Sequence, residues 1–546
     1  MKQTIKEFLR EQLDAVADGV EFDVLVSPNP QFGDYSTNIA FVLAKREGKT
    51  PVDVAQALKD ELMTDKMAEV AIIEIAPNGF LNFFLNQEFL QQQLASISAD
   101  DSYGNNDSMK GKTVMVEYTD PNPFKLFHIG HLMSNTIGET IARLHEAAGA
   151  KVIRANYQGD VGMHTAMAVW GMKQGLDYLG PAYAAGAKAY KEDPKAKEEI
   201  ESINKKIYDK SDPEINELYE KGRQGSLDYF ETVYKKLGTK FDHYFFESEV
   251  ADEGMALVKS HPDVFVPGEN GAIVFKGEDH GLHTRVFINS QGLPTYEAKE
   301  LGLNEKKFNL YHPDLSIIVT ANEVNEYFKV LLKAMSLVLP DVATKTKHIG
   351  HGVMRLPTGK MSSRTGDVVT ADSLIEQTMA KLPDTTPEEN REKIAVGAIK
   401  YSILKQSPGH DIIFDFEKSL AVKGDAGPYL QYTYARLNNI VAKAGGGQAA
   451  ASNPASLTEP SELSLLRELL RFPDIVRESV DELAPQHLVT YLLQLTVTAN
   501  QFYEQVRVLE ESDKDKQSAR LSLVGAVART LKSGLNILGI ETLDRI

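Results

Sequence analysis

Three features of this chain predict an α/β protein built on a doubly wound parallel sheet, carrying a helical insertion, with an α/β module ahead of it and an all-α module behind. The first is a strand, loop, helix and strand over residues 113–157. The second is Lys/Glu-rich helical text from about 172 to 240, and the third is helical periodicity from about 405 to the end.

Residues 1–110 read as the leading α/β module. The stretch from Met1 alternates charge with an amphipathic stripe and lacks the continuous apolar core of a secretory signal. Phe22–Val26 predicts a strand, Asn29–Asn38 a loop, and a helix follows. Val70–Ile75 and Phe80–Leu85 predict paired strands around the Pro77-Asn78-Gly79 turn. Polar residues 99–107 form a linker, and the next domain begins near Gly111.

That domain opens with the β-rich run Thr113–Glu117, which passes through a Pro-bounded loop into a helix beginning His128-Ile129-Gly130-His131. Ile137, Ile141, Leu144 and Ala148 then recur at helical spacing until Gly149, and Lys151–Tyr157 reads as the next strand. Such a βαβ unit presents a helix N-terminus at the carboxyl edge of a parallel sheet, where phosphates bind well. Three residues apart in a first helical turn, His128 and His131 share a face and can donate to one anion. Gly130 lets a flat base or ribose approach the backbone between the imidazoles. A capping or surface pair and a pair of metal ligands are the other readings of the same residues.

A second stretch has matching chemistry. Gly359-Lys360-Met361-Ser362-Ser363-Arg364-Thr365-Gly366, followed by Asp367-Val368-Val369, reads as a mobile phosphate clamp: Lys360 and Arg364 neutralise pyrophosphate, Ser362 and Ser363 donate to it, and the glycines serve as hinges. An ordinary solvated basic loop is the alternative.

Between these stretches, the insertion's charge runs form a solvated face. Phe241–Phe246, Thr284–Ile288 and Leu315–Thr320 read as strands, and Tyr327–Met335 as a helix, completing the doubly wound sheet. Beyond residue 405 the text is helical, with a flexible stretch around 445–454. Tyr429, Gln431, Tyr432, Tyr434 and Arg436 combine flat rings with donors, as do Asn500, Phe502, Tyr503 and Arg507. Unstacked RNA bases suit such groups; aromatic stripes on helices also build cores.

Composition narrows the class. At 546 residues, 42% hydrophobic and 25% charged, the chain can bury several domain cores, and no apolar run approaches a membrane span. It holds no cysteine, which excludes disulfides and thiolate metal sites. A net charge of −18 opposes indiscriminate nucleic-acid binding and requires any RNA contact to be local and basic.

Together, His-Ile-Gly-His and Lys-Met-Ser-Ser-Arg resemble the two defining motifs of class I aminoacyl-tRNA synthetases. Asn122–His128, Tyr157–Gly162, Pro294–Glu300 and Gly427–Arg436 resemble the arginyl-tRNA synthetases, over essentially the whole chain. The resemblance implies a tRNA-contacting N-terminal domain over 1–110, with Phe80 and Asn82 meeting a D-loop base. It implies a class I catalytic domain over 111–405 and an all-α anticodon-binding domain over 406–546.

It further implies an ATP-dependent, AMP-forming ligase that makes arginyl-adenylate and transfers arginine to the terminal 2′-hydroxyl of tRNA-Arg. ATP would lie on His128, Gly130, His131, Lys360, Met361, Ser362, Ser363 and Arg364, with Mg²⁺ and no zinc. His128, His131, Lys360 and Lys125 are the catalytic candidates, since many members of the family lack the lysine of the second motif and rely on one just ahead of the first, and this chain has both. Arginine would meet Glu117 and Asn122 at its α-amino and carboxylate end and Tyr296, Glu300 and Glu247 at its guanidinium, with Glu323 read either as lining the same pocket or as a helix cap.

Glu297 and Lys299 are read either with this group or as a surface pair. Two departures stand out: Glu300 where Asp is common, and Val161 where Trp is frequent. A cytoplasmic monomer whose amino-acid activation depends on bound tRNA completes the expectation. The alternatives are a class I enzyme for another amino acid, opposed by the acidic candidates, and a tRNA-binding paralogue, opposed by the intact motifs.

Overall fold

The computed structural model describes residues 1–13, 19–27, 29–64, 67–100, 102–357, 369–445 and 453–543. The leading module runs α1 (Lys2–Gln12), β1 (Val24–Val26), β2 (Tyr35–Thr37), α2 (Ile39–Glu47), α3 (Pro51–Leu62), β3 (Val70–Ile75), β4 (Leu81–Leu85) and α4 (Gln87–Ala99). Its antiparallel sheet has the order β1-β2-β4-β3. Leu81, Phe83 and Leu85 enter the core, so strand alternation puts Phe80, Asn82 and Phe84 on the other face. The sequence reading of 29–38 as a loop missed β2, whose three residues are too few to show a period although Tyr35 and Thr37 are buried.

The central domain runs β5 (Thr113–Tyr118), α5 (Ile129–Ala147), β6 (Lys151–Gln158), α6 (Met163–Lys173), then the insertion helices α7 (Pro181–Glu192), α8 (Pro194–Asp209) and α9 (Pro213–Leu237). Pro at the first helical position starts all three, and Asp193 and Asp212 cap α8 and α9 with their carboxylates. There follow β7 (His243–Phe246), α10 (Glu247–Ser260), β8 (Phe265–Pro267), β9 (Ile273–Phe275), β10 (Arg285–Ile288), α11 (Tyr296–Tyr311), β11 (Leu315–Ala321), α12 (Asn325–Val338), α13 (Pro340–Lys345) and β12 (Thr346–His351).

Five strands form one parallel sheet, in the order β12-β11-β5-β6-β7. Chain order reverses at β5, and in such sheets ligands bind beyond the carboxyl ends at that switch. Residues 284–288 do not join it: β10 closes a separate antiparallel sheet, β8-β9-β10, whose short connections suit antiparallel pairing. The fifth parallel strand is instead β12, at the sheet edge, whose polar text showed no strand pattern.

The remainder runs β13 (Met354–Arg355), α14 (Ala371–Ala380), α15 (Glu388–Leu404), β14 (Ile412–Ile413), α16 (Phe416–Ser419), α17 (Gly427–Lys443), α18 (Pro460–Asp481), α19 (Pro485–Gln505) and α20 (Lys514–Ile537), with β13 and β14 paired in parallel. Most of the stretch expected to be flexible, 446–452, lies outside the described residues.

Ion pairs and cations join the three parts. Arg467 of α18 meets Asp34 at 2.7 Å. Lys400 Nζ donates to Leu237 O and Gly539 O, each at 2.6 Å, while Arg143 donates to Gly238 O and Asn536 O, each at 2.8 Å. These cations sit on the carbonyl ends of α9 and α20, where helix dipoles favour positive charge.

Candidate active site

After β5 the chain turns sharply: Thr119, Asp120 and Phe124 have φ of 82°, 47° and 67°. None is glycine, so the turn is strained and surrounding contacts hold it. Thr119 N donates to Ser134 Oγ, which donates to Val319 O, both at 2.8 Å, tying the ends of β5 and β11 through α5. Asp120 Oδ1 accepts from Tyr157 N, and Ser226 Oγ accepts from Phe124 N, also at 2.8 Å.

This loop delivers His128 as the N-cap of α5. His128 Nδ1 accepts from Gly130 N at 3.1 Å and His131 N at 3.4 Å, while His131 Nδ1 accepts from His128 N at 3.2 Å. With both Nδ1 atoms accepting, each neutral ring carries its proton on Nε2 and keeps one free donor. Burial and the nearby Lys125 charge push His128 down to about 4; burial and His128 hold His131 well below the usual histidine range. Both are neutral N–H donors near pH 7.

The rings stack with centroids 3.6 Å apart, so no base lies between them as the sequence suggested. Gly130 serves the cap instead: a Cβ there would come within 2.9 Å of His128 Cε1. His-Ile-Gly-His also recurs at 348–351, in β12, where His348 bonds Thr320 Oγ1 at 2.7 Å and stacks on Phe328. Position at a helix N-terminus distinguishes the first copy.

Lys360, Met361, Ser362, Ser363 and Arg364 lie outside the described residues. The chain that follows them is bonded to the first motif: Ile129 N donates to Val369 O at 3.2 Å, Ala371 N to Phe127 O at 2.9 Å, and His128 bridges Thr370.

Beside the turn lies a buried acidic cluster. Glu117 forms an ion pair with Lys307 at 2.5 Å, the side chains 1% and 0% exposed. The contact lacks hydrogen-bond alignment, and both atoms keep unused bonding capacity. Glu247 pairs with Lys299 at 2.5 Å, also buried. Glu247 and Asn122 meet at Gly159: Asn122 Oδ1 accepts from Gly159 N at 3.0 Å, and a Cβ on Gly159 would strike Asn122 Oδ1 and Glu247 Oε1.

Burial, then the negative charge of Glu117, raises Glu300 to about 8 and holds Asp120 well above the carboxylate range. Glu300 Oε2, Tyr157 OH and Tyr327 OH are buried and have no hydrogen-bond partner among the described residues. Buried polar atoms without partners are uncommon and suit a polar ligand.

Tyr296 is 58% exposed, its ring 5.4 Å from Lys299 Nζ. Glu323 stands apart, exposed on the turn after β11. Glu297 and Lys299 are not a surface pair: both are buried, Glu297 against Arg285 at 3.3 Å. Asp120, Tyr327 and Lys307 escaped the sequence reading. A tyrosine in the apolar stripe of α12 and a second lysine inside α11 were the available signals.

The nominated RNA-facing residues divide. Gln431, Tyr434 and Phe502 are buried, and Gln431 Nε2 donates to Glu541 O at 2.8 Å and Lys393 O at 3.2 Å. These three are corrected to core, because reaching a base requires unpacking the helices. Tyr432 is half-buried against Leu382 and Ile394. Tyr429, Arg436 and Asn500 converge from α17 and α19: Asn500 Nδ2 donates to Tyr429 OH at 3.0 Å, and Arg436 Nη1 to Asn500 Oδ1 at 3.1 Å. Tyr503 and Arg507 are exposed. In the leading module Phe80 is half-buried against Phe41, with centroids 4.9 Å apart, and Asn82 is 8% exposed.

Family models match the chain along its length: the arginyl tRNA synthetase N terminal domain over 1–85, the class I (R) tRNA synthetase catalytic domain over 93–416, and the DALR anticodon binding domain over 430–546. An arginine–tRNA ligase of Clostridium botulinum is 30% identical, with all of both chains covered. The solved arginyl-tRNA synthetase of Thermus thermophilus superposes with a TM-score of 0.79 at 27% identity, again over both chains entire. That of Plasmodium falciparum, at 21% identity and a TM-score of 0.82, shares the fold across all of this chain and 99% of its own. No helix among the described residues is long and apolar enough to cross a membrane. With the switch-point histidine cap and the acidic pocket beside it, these matches establish that the chain belongs to the arginyl-tRNA synthetases, class I ligases that activate arginine with ATP and charge tRNA-Arg.

Proposed function

We propose that the acidic cluster is the arginine pocket and that it recognises its substrate by charge balance. Glu117, Asp120, Glu247 and Glu300 face two ammonium groups, Lys299 and Lys307. Empty, the pocket balances itself by keeping Glu300 and Asp120 protonated. Arginine brings a guanidinium and an α-ammonium, and these two cations replace the two protons. Glu300, with its unpartnered Oε2 and the hydroxyl of Tyr327, receives the guanidinium; Glu117 and Asn122 receive the α-amino end, with Glu247 and Tyr296 flanking. The extra methylene of Glu300 relative to aspartate moves its carboxylate further from α11. The unpartnered Oε2 is the observation that carries this reading.

The carboxylate of arginine then attacks the α-phosphate of ATP and pyrophosphate leaves; no protein nucleophile takes part. His128 and His131 each offer a neutral Nε2–H to phosphoryl oxygens, and Lys125, with Lys360 and Arg364 of the second motif, offsets the growing charge. The bonds between residues 127–129 and 369–371 support bringing that motif to this edge. No carboxylate bonds either histidine among the described residues, so the donor set suits oxyanions and not a divalent cation; Mg²⁺ bound with ATP would supply further positive charge against the phosphates.

Domains over 1–110, 111–405 and 406–546, a monomeric state and a cytoplasmic location belong to the same reading, as do tRNA contacts through Phe80, Asn82, Tyr429, Arg436, Asn500 and Tyr503. Arginine-dependent ATP–pyrophosphate exchange, with and without tRNA-Arg and against all twenty amino acids, tests it. Exchange with arginine alone is expected, and its loss in both Lys125→Ala and Lys360→Ala; full exchange in both variants would overturn the phosphate assignment.

A further inference from the structure

Three consecutive side chains ahead of His128 each meet the helical insertion. The Phe124 ring lies against Gly222 of α9, where a Cβ would come within 2.2 Å of Phe124 Cε1, and its centroid is 6.2 Å from that of Tyr219. Leu126 Cδ1 would lie 3.3 Å from a Cβ on Gly180, the N-cap of α7. Between them, Lys125 Nζ lies 4.9 Å from the centre of the Tyr183 ring, in the first turn of α7. Among the described residues no carboxylate stands within ion-pair distance of Lys125, and Glu247 acts on it only at longer range.

We propose that Tyr183 is a positioning residue for Lys125, holding the ammonium group toward the phosphate site through the face of its ring. The inference rests on the reading of Lys125 as a phosphate-stabilising group. A carboxylate partner would hold the lysine more tightly but cancel the charge that phosphate needs. A ring face holds a cation through its quadrupole and leaves the charge intact, more strongly where water is partly excluded. Lysine is a flexible point charge with much rotamer freedom, so fixing Nζ in advance removes an ordering cost from the reacting complex. Because Tyr183 belongs to the insertion, the seating of α7 and α9 on residues 124–126 sets the position of this charge.

The test uses the full-length enzyme and single-turnover arginylation of tRNA-Arg at saturating arginine, with ATP varied. Tyr183→Leu is expected to lower the rate constant at saturating ATP about tenfold, the size of a partly desolvated cation–π contact, while a separate titration of arginine shows its KM unchanged. Tyr183→Phe, which keeps the ring face, is expected to stay within about twofold of the parent on the same ground. Added to Lys125→Ala, Tyr183→Leu should cause no further loss, because the ring acts through the lysine. Tyr183→Met, monitored by melting temperature, repeats the measurement with a side chain that fills the same space if the leucine variant folds poorly.

Equal losses in the Phe and Leu variants, or an undiminished effect of Tyr183→Leu in the Lys125→Ala background, would overturn the proposal. A slow Lys125→Ala beside a full-rate Tyr183→Leu would overturn it alone. A full-rate Lys125→Ala would remove the reading of Lys125 beneath it.

Discussion

His128 and His131 cap one helix with each other's backbone, each Nδ1 accepting an N–H of the other residue while the two rings stack. The same atoms that finish the helix fix the tautomer, so capping and the proposed catalytic role share one side chain yet use different nitrogens. His128→Asn keeps a cap acceptor and loses the Nε2 donor; His128→Ala loses both. The asparagine variant should keep the parent melting temperature while adenylate formation falls about a hundredfold. The alanine variant should lose about 1 kcal/mol of stability as well, measured by denaturant titration. Equal stability loss in both would show that the cap is not made by Nδ1.

Glu300 gives the pocket a pH dependence. Its carboxyl titrates near 8 in the empty pocket, above its value in an unfolded chain, so it is neutral at pH 6 and an uncompensated buried charge at pH 9. The unfolded chain then binds fewer protons than the folded one between pH 4.5 and 8, and stability falls as pH rises through that window. Glu300→Gln should therefore melt near the parent temperature below pH 4.5, above it at pH 6 and further above it at pH 9. Titration calorimetry at pH 7, in buffers of differing ionisation enthalpy, should show protons released when arginine binds the tRNA complex, and fewer in Glu300→Gln. The variant should also raise the arginine KM about a hundredfold, because a guanidinium loses its charged partner.

Lys307 tests the buried ion pair. Lys307→Met leaves Glu117 charged and alone, which should cost about 3–5 kcal/mol in a urea midpoint measurement. Adding Glu117→Gln should recover most of the stability and none of the activity. Recovery of both would mean that Glu117 holds the fold and not the substrate.

In the C-terminal helices, Arg436→Ala should raise the KM for tRNA-Arg and leave the arginine KM unchanged. Phe502→Ala should instead cost about 3–5 kcal/mol of stability, as expected for emptying a buried aromatic site. A selective tRNA defect in Phe502→Ala with normal stability would reverse the correction made for that residue.

Lys360→Ala should slow adenylate formation more than it weakens arginine binding. Combined with Lys125→Ala, the losses should not add, because both cations offset charge on the same phosphates. Pre-steady-state adenylate formation in the tRNA complex separates the cases; strict additivity would assign the lysines to different steps.

Local patterns were legible wherever one short stretch carries its own chemistry. The strand, turn and helix around His128, the charged insertion and the apolar β11 each announce themselves through period, turn residues or charge. What escaped depends on partners distant in the chain. His-Ile-Gly-His is one tetrapeptide with two fates, a helix cap at 128 and an edge strand at 348, and its neighbours decide between them. Residues 284–288 read as a strand and are one, but which sheet they join follows from short antiparallel connections. Gln431, Tyr434 and Phe502 have the composition of an RNA-binding face and the burial of a core, since a helix presents rings to whichever neighbour covers them.

The sequence by itself determined the family and the order of domains, and it singled out the two motifs proposed to handle ATP, because those are contiguous residues whose types suffice. Tertiary structure alone decided the charge balance of the pocket, where Glu117 of β5, Glu247 of α10 and Lys299, Glu300 and Lys307 of α11 meet. A carboxyl titrates according to how deeply it is buried and which charges face it, and neither is written in the residues beside it.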